Sequence, residues 1–533
     1  MLKLKSFFII ALALTTACRE KSKHKDGAQQ AVENAENENR RVDTETTTPE
    51  IVRPQFRLFD PTYDFTPSDR FTAGQLLERF PIVSANDAEV AILPDGESFF
   101  SWRLKLIDQA TKSIRLQSMI FYGDESGYQI AEKLVAAVKR GVKVSVIVDP
   151  INNLKFRDQR LFYYMRRSGI KIEGYEFAYL NLVSGFASRD LIGAKITELN
   201  QRYHEKYLVI DAEIPEKAVA IIGGTNISNE YFRVEKERPL FVWQDRDVIV
   251  RGKITADISR HFEINAAELR ARRNSLGLQA TQFIWTFLDN YFKDPEVNED
   301  KLRPEINLRL QEIAKNPPDL VWHKSTMRVI TSHPRAQEDL IMPAYLDSIQ
   351  SSKDTVDIVN AFFIPDEDLA SALKAAAKRG VKIRILTNAA EAMDFVVGGR
   401  VMTDVARSTY QDLLLVNEDD ATKGSIEIYE WAADPTLKNG EGLMHAKYAV
   451  FDQKMYIVGS FNLDPRARLL NTEGILAGED VVTSELLRDE VTKFVGPKFA
   501  KSVSLDEAKR YESPLSKSSR ERLKILKLFS FYL

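Results

Sequence analysis

Cysteine occurs once in the 533 residues, at position 18, and histidine only six times. A lone cysteine excludes an intrachain disulfide and any zinc site built on several thiolates. Neither sign of charge prevails: 74 Lys and Arg against 77 Asp and Glu leave a formal net charge of −3. That balance removes any global attraction to a polyanion, so nucleic acid is not the expected partner. No apolar run is long enough for a comfortable bilayer span. What is present is ordinary for a folded chain, with 44% hydrophobic and 28% charged residues. Fibrous and wholly disordered classes are thereby excluded. The length suits roughly two to four domains with substantial cores.

The solitary cysteine closes a segment with a recognisable layout. Lys3 and Lys5 precede the apolar run Phe7–Leu14, and Thr15-Thr16-Ala17 leads into Cys18. Residues 1–18 therefore read as a secretory signal. Small residues before the cysteine resemble the lipobox of bacterial lipoproteins, which implies lipidation of Cys18. Thr15 stands where that motif usually has Leu. A plain cleaved signal and an uncleaved anchor are the alternatives. The location implied is the bacterial cell envelope, lipid-anchored and facing the periplasm. Arg19, lacking the Asp that holds many lipoproteins in the inner membrane, points to the outer one. Residues 19–60 are polar and charged without apolar period, the pattern of a flexible tether.

Beyond the tether the chain repeats itself. Ile114–Asp149 and Val356–Asn388 each give an apolar strand, an acidic loop, an Ala- and Leu-rich helix, then Lys-Arg-Gly-Val-Lys and another strand. Gly141 and Gly380 follow helices with Lys-Arg in the last turn, a glycine stop with cations facing the helix dipole. Strand-helix-strand with a short stop predicts parallel pairing in each copy. So long a repeat means two whole domains rather than a solenoid.

Two of the six histidines share a pattern at nearly the interval of the repeat. His204-Glu205-Lys206 is followed by Asp211, and His445-Ala446-Lys447 by Asp452. Both are H-x-K-x4-D, and both lead into β-like runs. In a strand, positions two apart face the same way, so each His projects with its Lys. Asp211 and Asp452 have the opposite parity and are expected to hold the strand end rather than touch substrate. A turn with Asn follows each motif, at Gly223-Gly224-Thr225-Asn226 and Gly459-Ser460-Phe461-Asn462, placing an amide near the His-Lys pair. His261, His323 and His333 lack such a pattern and are expected to be structural. Asp124 and Asp366, in the acidic loops, are expected to be solvated.

These paired motifs resemble the phospholipase D superfamily over roughly residues 80–500. "LNQRYHEKYLVID", "IIGGTNISNEYF", "FFIPD" and "GSFNLDPRARLLNTE" are similar to bacterial cardiolipin synthases, the C-type in particular. Glu205, Thr225 and Ala467 depart from residues usual there. The resemblance implies an α/β fold of two phospholipase D-like domains, each a mixed, mostly parallel sheet flanked by helices, related by a pseudo-twofold. The domains are expected at 80–262 and 326–500, with a helical connector at 263–325 and a basic amphipathic tail at 501–533.

Phosphodiester exchange needs a nucleophile, an acid for the leaving alkoxide and cations for the phosphoryl oxygens. Two imidazoles, Lys206, Lys447, Asn226 and Asn462 supply these with no metal and no cofactor. By resemblance, Asp245 and Glu473 are the carboxylate partners of the histidines, and His204 is the nucleophile. The implied function is a phosphatidyltransferase acting on phosphatidylglycerol through a phosphohistidine. A phospholipase D using water, a metal-independent nuclease and a non-catalytic head-group-binding lipoprotein are the alternatives. The expected partners are a phospholipid substrate and the membrane surface, with both half-sites in one monomer.

Overall fold

The structure, a computed structural model, describes residues 86–149, 152–153, 155–174, 202–235, 238, 242–275, 302–333, 338–390, 399–431 and 442–511. The signal, Cys18 and the tether lie outside the described residues, as does the tail beyond Tyr511. The first half contributes β1 (Asn86–Ile92), β2 (Ser113–Ser118), β3 (Lys143–Val148), β4 (Lys171–Glu173), β5 (Arg202–Tyr203), β6 (Tyr207–Ile210), β7 (Val219–Gly223) and β8 (Asp247–Gly252). The second contributes β9 (His323–Ser332), β10 (Thr355–Asn360), β11 (Lys382–Asn388), β12 (Ser425–Trp431), β13 (Lys447–Phe451), β14 (Met455–Gly459), β15 (Asn471–Glu479) and β16 (Ala500–Ser502).

The repeated text folds the same way twice. In each copy the first strand leads into a helix, Glu125–Lys139 or Glu367–Arg379, and the returning strand pairs parallel to it. Gly141 and Gly380 adopt the left-handed φ of +91° and +119° that stops each helix. Asp124 and Asp366, read as solvated, are instead helix N-caps whose carboxylates accept from Gly127 N and Leu369 N. Such a cap contributes about 1 kcal/mol. Burial and the nearby Glu230 push the Asp124 carboxyl up to about 7.

From the centre outward, the strand order is β1-β8-β7-β6-β2-β3-β4 in one half and β9-β15-β14-β13-β10-β11-β12-β16 in the other. The order shared by the first seven strands of each is the pseudo-twofold, and β16 is an extra edge strand. Antiparallel pairing of β1 with β9 joins the halves into one sheet. Each half is mixed, as expected, but antiparallel neighbours predominate where mostly parallel ones were predicted. Within each half the parallel neighbours are strands joined by helices, β2-β3-β4 in one and β10-β11-β12 in the other. The motif strands β6 and β13 return through short turns into β7 and β14, and a short turn permits only an antiparallel partner.

Each half has its own apolar core, around Phe100, Ile130 and Val146 in one and Ile358, Leu373 and Ile385 in the other. A third core belongs to both. Val209, Ile222 and Val248 meet Tyr448, Val458 and Leu476 there, covered by residues of the helices Ile254–Ser275 and Val481–Phe494. The helix Pro304–Lys315, in the stretch read as connector, buries Ile306 and Leu310 in the first core. No helix among the described residues is long and apolar enough to cross a membrane.

Candidate active site

Each motif lies where an extended segment enters a central strand. His204 stands just ahead of β6 and His445 just ahead of β13, whose first residue is Lys447. As the two-residue spacing requires, each lysine turns back on its own histidine. Lys206 Nζ donates to the His204 carbonyl and Lys447 Nζ to that of His445. The aspartates that complete the motifs are elsewhere, as their parity predicts. Asp211 accepts from Thr111 N, Lys112 N and Ser113 N at 2.7–2.9 Å. Asp452 accepts from Lys353 N, Asp354 N and Thr355 N at 2.8–3.0 Å. They tie the far ends of β6 and β13 to the starts of β2 and β10 and form no part of the reacting centre.

The carboxylates cross between the halves. His204 Nδ1 lies 2.7 Å from Glu473 Oε1, and His445 Nδ1 lies 2.7 Å from Asp245 Oδ2. The backbone crosses with them: His204 N donates to Thr472 O at 3.0 Å and His445 N to Gln244 O at 2.6 Å. β5, immediately before His204, pairs parallel with Asn471–Thr472. Neither half therefore holds both a motif histidine and that histidine's carboxylate. The turn after each motif supports the arrangement differently. A Cβ at Gly224 would meet Asp245 Oδ1 at 2.2 Å, so only glycine lets that carboxylate in. At the matching position, Ser460 Oγ donates to Glu473, which also receives Asn471 Nδ2 at 3.1 Å.

Lys447 Nζ lies 2.9 Å from His445 Nδ1, the nitrogen that faces Asp245. Nδ1 can serve only one of them. The lysine already has the His445 carbonyl as acceptor, whereas the buried carboxylate needs the N–H. Nδ1–H therefore faces Asp245, and Nε2 is left with its lone pair. Asn226 departs from its expected duty: its Oδ1 accepts from Ile120 N at 3.0 Å and its Nδ2 donates to Tyr231 Oη at 2.8 Å. Asn462 is 6% exposed, and its buried Oδ1, an acceptor, has no partner.

Electrostatically the site is short of negative charge. Burial, Lys206, Lys447 and Arg466 hold His204 well below its ordinary value, while burial and Lys447 bring His445 to about 3. Burial lowers Lys206 to about 7 and Lys447 to about 8. The two carboxylates part company. Burial raises Glu473 to about 8; it also pushes Asp245 upward, but His445 and Lys447 outweigh it and hold Asp245 below the usual range. A phosphodiester anion placed between these cations would raise both imidazoles and both ammonium groups together. An open cavity of about 890 Å³ lies elsewhere, lined by Trp102, Arg251 and Trp322, and no motif residue lines it.

Comparison with known proteins identifies the family. The family described as cardiolipin synthase, PLD-like domain, matches residues 104–264 and 345–494, each span enclosing one motif. The chain belongs to this family. It is accordingly an enzyme of the phospholipase D superfamily. Cardiolipin synthase C of Escherichia coli K12 is 27% identical over 74% of this chain and 82% of its own. Cardiolipin synthase B of the same strain is 26% identical over 76% and 80%. The crystal structure of a phosphatidylserine synthase from Haemophilus influenzae superposes with a TM-score of 0.53, at 15% identity, over 84% of this chain and 98% of that one. That likeness establishes the shared fold.

Sequence reasoning missed two groups in this family member. Tyr231 and Trp243 enclose His445, with Tyr231 Oη 3.2 Å from Nε2 and the Trp243 ring stacked on the imidazole at 6.2 Å. Tyr231 lies inside the quoted "IIGGTNISNEYF" text, but it has no copy in the second half, so the repeat gave no signal. The second group surrounds Glu205, the residue between His204 and Lys206. Its carboxylate takes His261 Nε2 at 2.6 Å, Thr472 Oγ1 at 2.8 Å and Asn265 Nδ2 at 3.0 Å. Burial pushes Glu205 upward, yet His261 and Thr472 outweigh it and bring it to about 2. His261 thus serves the site's scaffold rather than its chemistry.

Proposed function

We propose that this enzyme is a phosphatidyltransferase of the cardiolipin synthase type, using phosphatidylglycerol as donor through a phosphohistidine. The observation that carries the reading is the crosswise pairing of two imidazoles with two carboxylates beside two buried lysines. His204 Nε2 attacks phosphorus, while His445, which takes up a proton on Nε2 when the phosphodiester anion binds beside it, gives that proton to the departing alkoxide and returns to neutral. In the second step His445 removes a proton from the incoming hydroxyl, whose oxygen displaces His204. Lys206, Lys447 and the Asn462 amide hold the phosphoryl oxygens, while the Asn226 amide serves Tyr231. The relatives' names support a lipid hydroxyl as acceptor. The units 80–262 and 326–500, acting within one monomer, and lipid anchoring through Cys18 in the envelope belong to the same proposal.

The test is lipid mass spectrometry of purified protein given phosphatidylglycerol, with and without phosphatidylethanolamine. EDTA is included, because no step is assigned to a metal. Cardiolipin is the expected product. Phosphatidic acid alone would make water the acceptor and overturn the transferase reading.

A further inference from the structure

In an extended segment alternate side chains take opposite faces, so the residue between each motif's histidine and lysine points away from them. The second half places Ala446 there, whereas the first places Glu205, buried to 1% exposure. Four donors from three elements converge on the Glu205 carboxylate. His261 Nε2 at 2.6 Å and Asn265 Nδ2 at 3.0 Å, both on the helix Ile254–Ser275, donate to Oε1. Gln117 Nε2 of β2 at 2.5 Å and Thr472 Oγ1 of β15 at 2.8 Å donate to Oε2. The Gln117 amide is oriented by its own carbonyl, which accepts from Tyr207 Oη at 2.7 Å and Asn265 Nδ2 at 3.2 Å. An ionised carboxylate only accepts, at about four lone-pair sites, and so matches this set; an amide would turn its own hydrogens on a donor. Thr472 links the cluster to the chemistry. His204 N donates to the Thr472 carbonyl, and the next residue, Glu473, faces His204 Nδ1.

We propose that Glu205 is a positioning residue for the His204 half of the site. Its carboxylate holds Thr472, and with it Glu473, against His204, and its charge faces the Lys206 ammonium. This rests on the two-histidine reading above. The charged groups facing Lys206 are Glu473, Asp245, Glu205 and the like-charged Lys447. Burial keeps Glu473 protonated up to about 8. Burial raises Glu205 too, but His261 and Thr472 outweigh it and keep it ionised down to about 2. Around neutral pH the standing negative charges near Lys206 are therefore Glu205 and Asp245. Burial already brings Lys206 to about 7, so a modest loss of negative charge there decides whether it is an ammonium group. Without the Glu205 charge Lys206 gives up its proton at lower pH, and the neutral amine attracts phosphoryl oxygens far less.

The experiment follows kcat/KM against pH for the full-length protein and a nitrophenyl phosphodiester, a substrate indifferent to which lipid is the acceptor. That ratio reports the ionising groups of the free enzyme. Glu205→Gln should move the alkaline limb to lower pH by about half a unit or more. Glu205→Asn and Glu205→Asp are equal in size and differ in charge, so the Asn variant should show that shift and the Asp variant should not. This pair keeps the test open if Glu205→Gln does not fold. Glu205→Asp, a methylene too short for Thr472, should still lose kcat. Thr472→Val keeps the charge and removes the hold, so kcat should fall about tenfold or more with the limb in place. One limb shared by Glu205→Asn and Glu205→Asp, or wild-type kcat in Thr472→Val, would overturn the proposal. Absence of turnover in the wild type would instead defeat the two-histidine reading, and that control tells the two failures apart.

Discussion

At the scale of single residues, the paired histidines differ in what their removal should do. His204→Ala lacks the nucleophile and should not turn over any substrate. His445→Ala keeps it and loses the acid, so natural lipid should react about 10²–10⁴-fold more slowly. A nitrophenyl leaving group should restore the first step in His445→Ala alone, read as a burst of nitrophenolate. Equal rescue of both variants would reject the assignment. A second expectation concerns pH. In the folded protein His445 is neutral down to about 3, whereas in the unfolded chain it takes a proton below about 6.5. The unfolded state therefore binds more protons between those values, and this histidine makes stability fall as pH drops through 6.5 toward 3. His445→Asn should lose less melting temperature between pH 7 and pH 5 than wild type does; an equal loss would mean the burial of His445 is not what sensitises the fold to acid. The His-Lys pairs were legible in the sequence because they are local and written twice. Tyr231 was not, because it is written once and acts across 214 residues on His445.

At the scale of elements, one glycine-serine difference carries the geometry. The β7 and β14 strands end in Gly223-Gly224 and Gly459-Ser460, matching turns that receive an aspartate in one half and a glutamate in the other. The shorter Asp245 reaches His445 only because residue 224 has no side chain. Gly224→Ala should push the carboxylate aside and reduce turnover of lipid by about a hundredfold or more, with the far-UV circular dichroism unchanged. Wild-type activity in that variant would show that Asp245 does not orient His445. The repeated strand-helix-strand units could be read directly from the Lys-Arg-Gly-Val-Lys text. The balance of parallel and antiparallel neighbours could not, because the sequence shows which strands are joined by helices but not which partner a returning strand β8 or β15 will choose. Asp245 and Glu473 were named as carboxylate partners by resemblance, but which histidine each serves was not legible, since they lie 200 and 269 residues from their histidines.

At the scale of the whole molecule, a central core shared by both halves sets the two motifs against each other, and the described body offers no membrane-spanning helix. If Cys18 carries the anchor, Cys18→Ser should abolish incorporation of labelled fatty acid and move the protein from the membrane pellet to the supernatant. Undiminished pelleting would transfer the anchoring role to another segment, the basic tail first among them. The exchange of carboxylates between halves also bears on how such a protein can change over generations. Two separate, identical subunits meeting across a true twofold would be obliged to carry the same side chain beside both histidines, since one codon would write both. A single chain holding both copies is released from that obligation. Asp can stand opposite Glu, glycine opposite serine and Tyr231 opposite Ala467, each altered by a mutation that leaves its counterpart untouched. Joining the halves thus lets one imidazole be tuned for bonding and the other for protons, a specialisation that strict symmetry forbids.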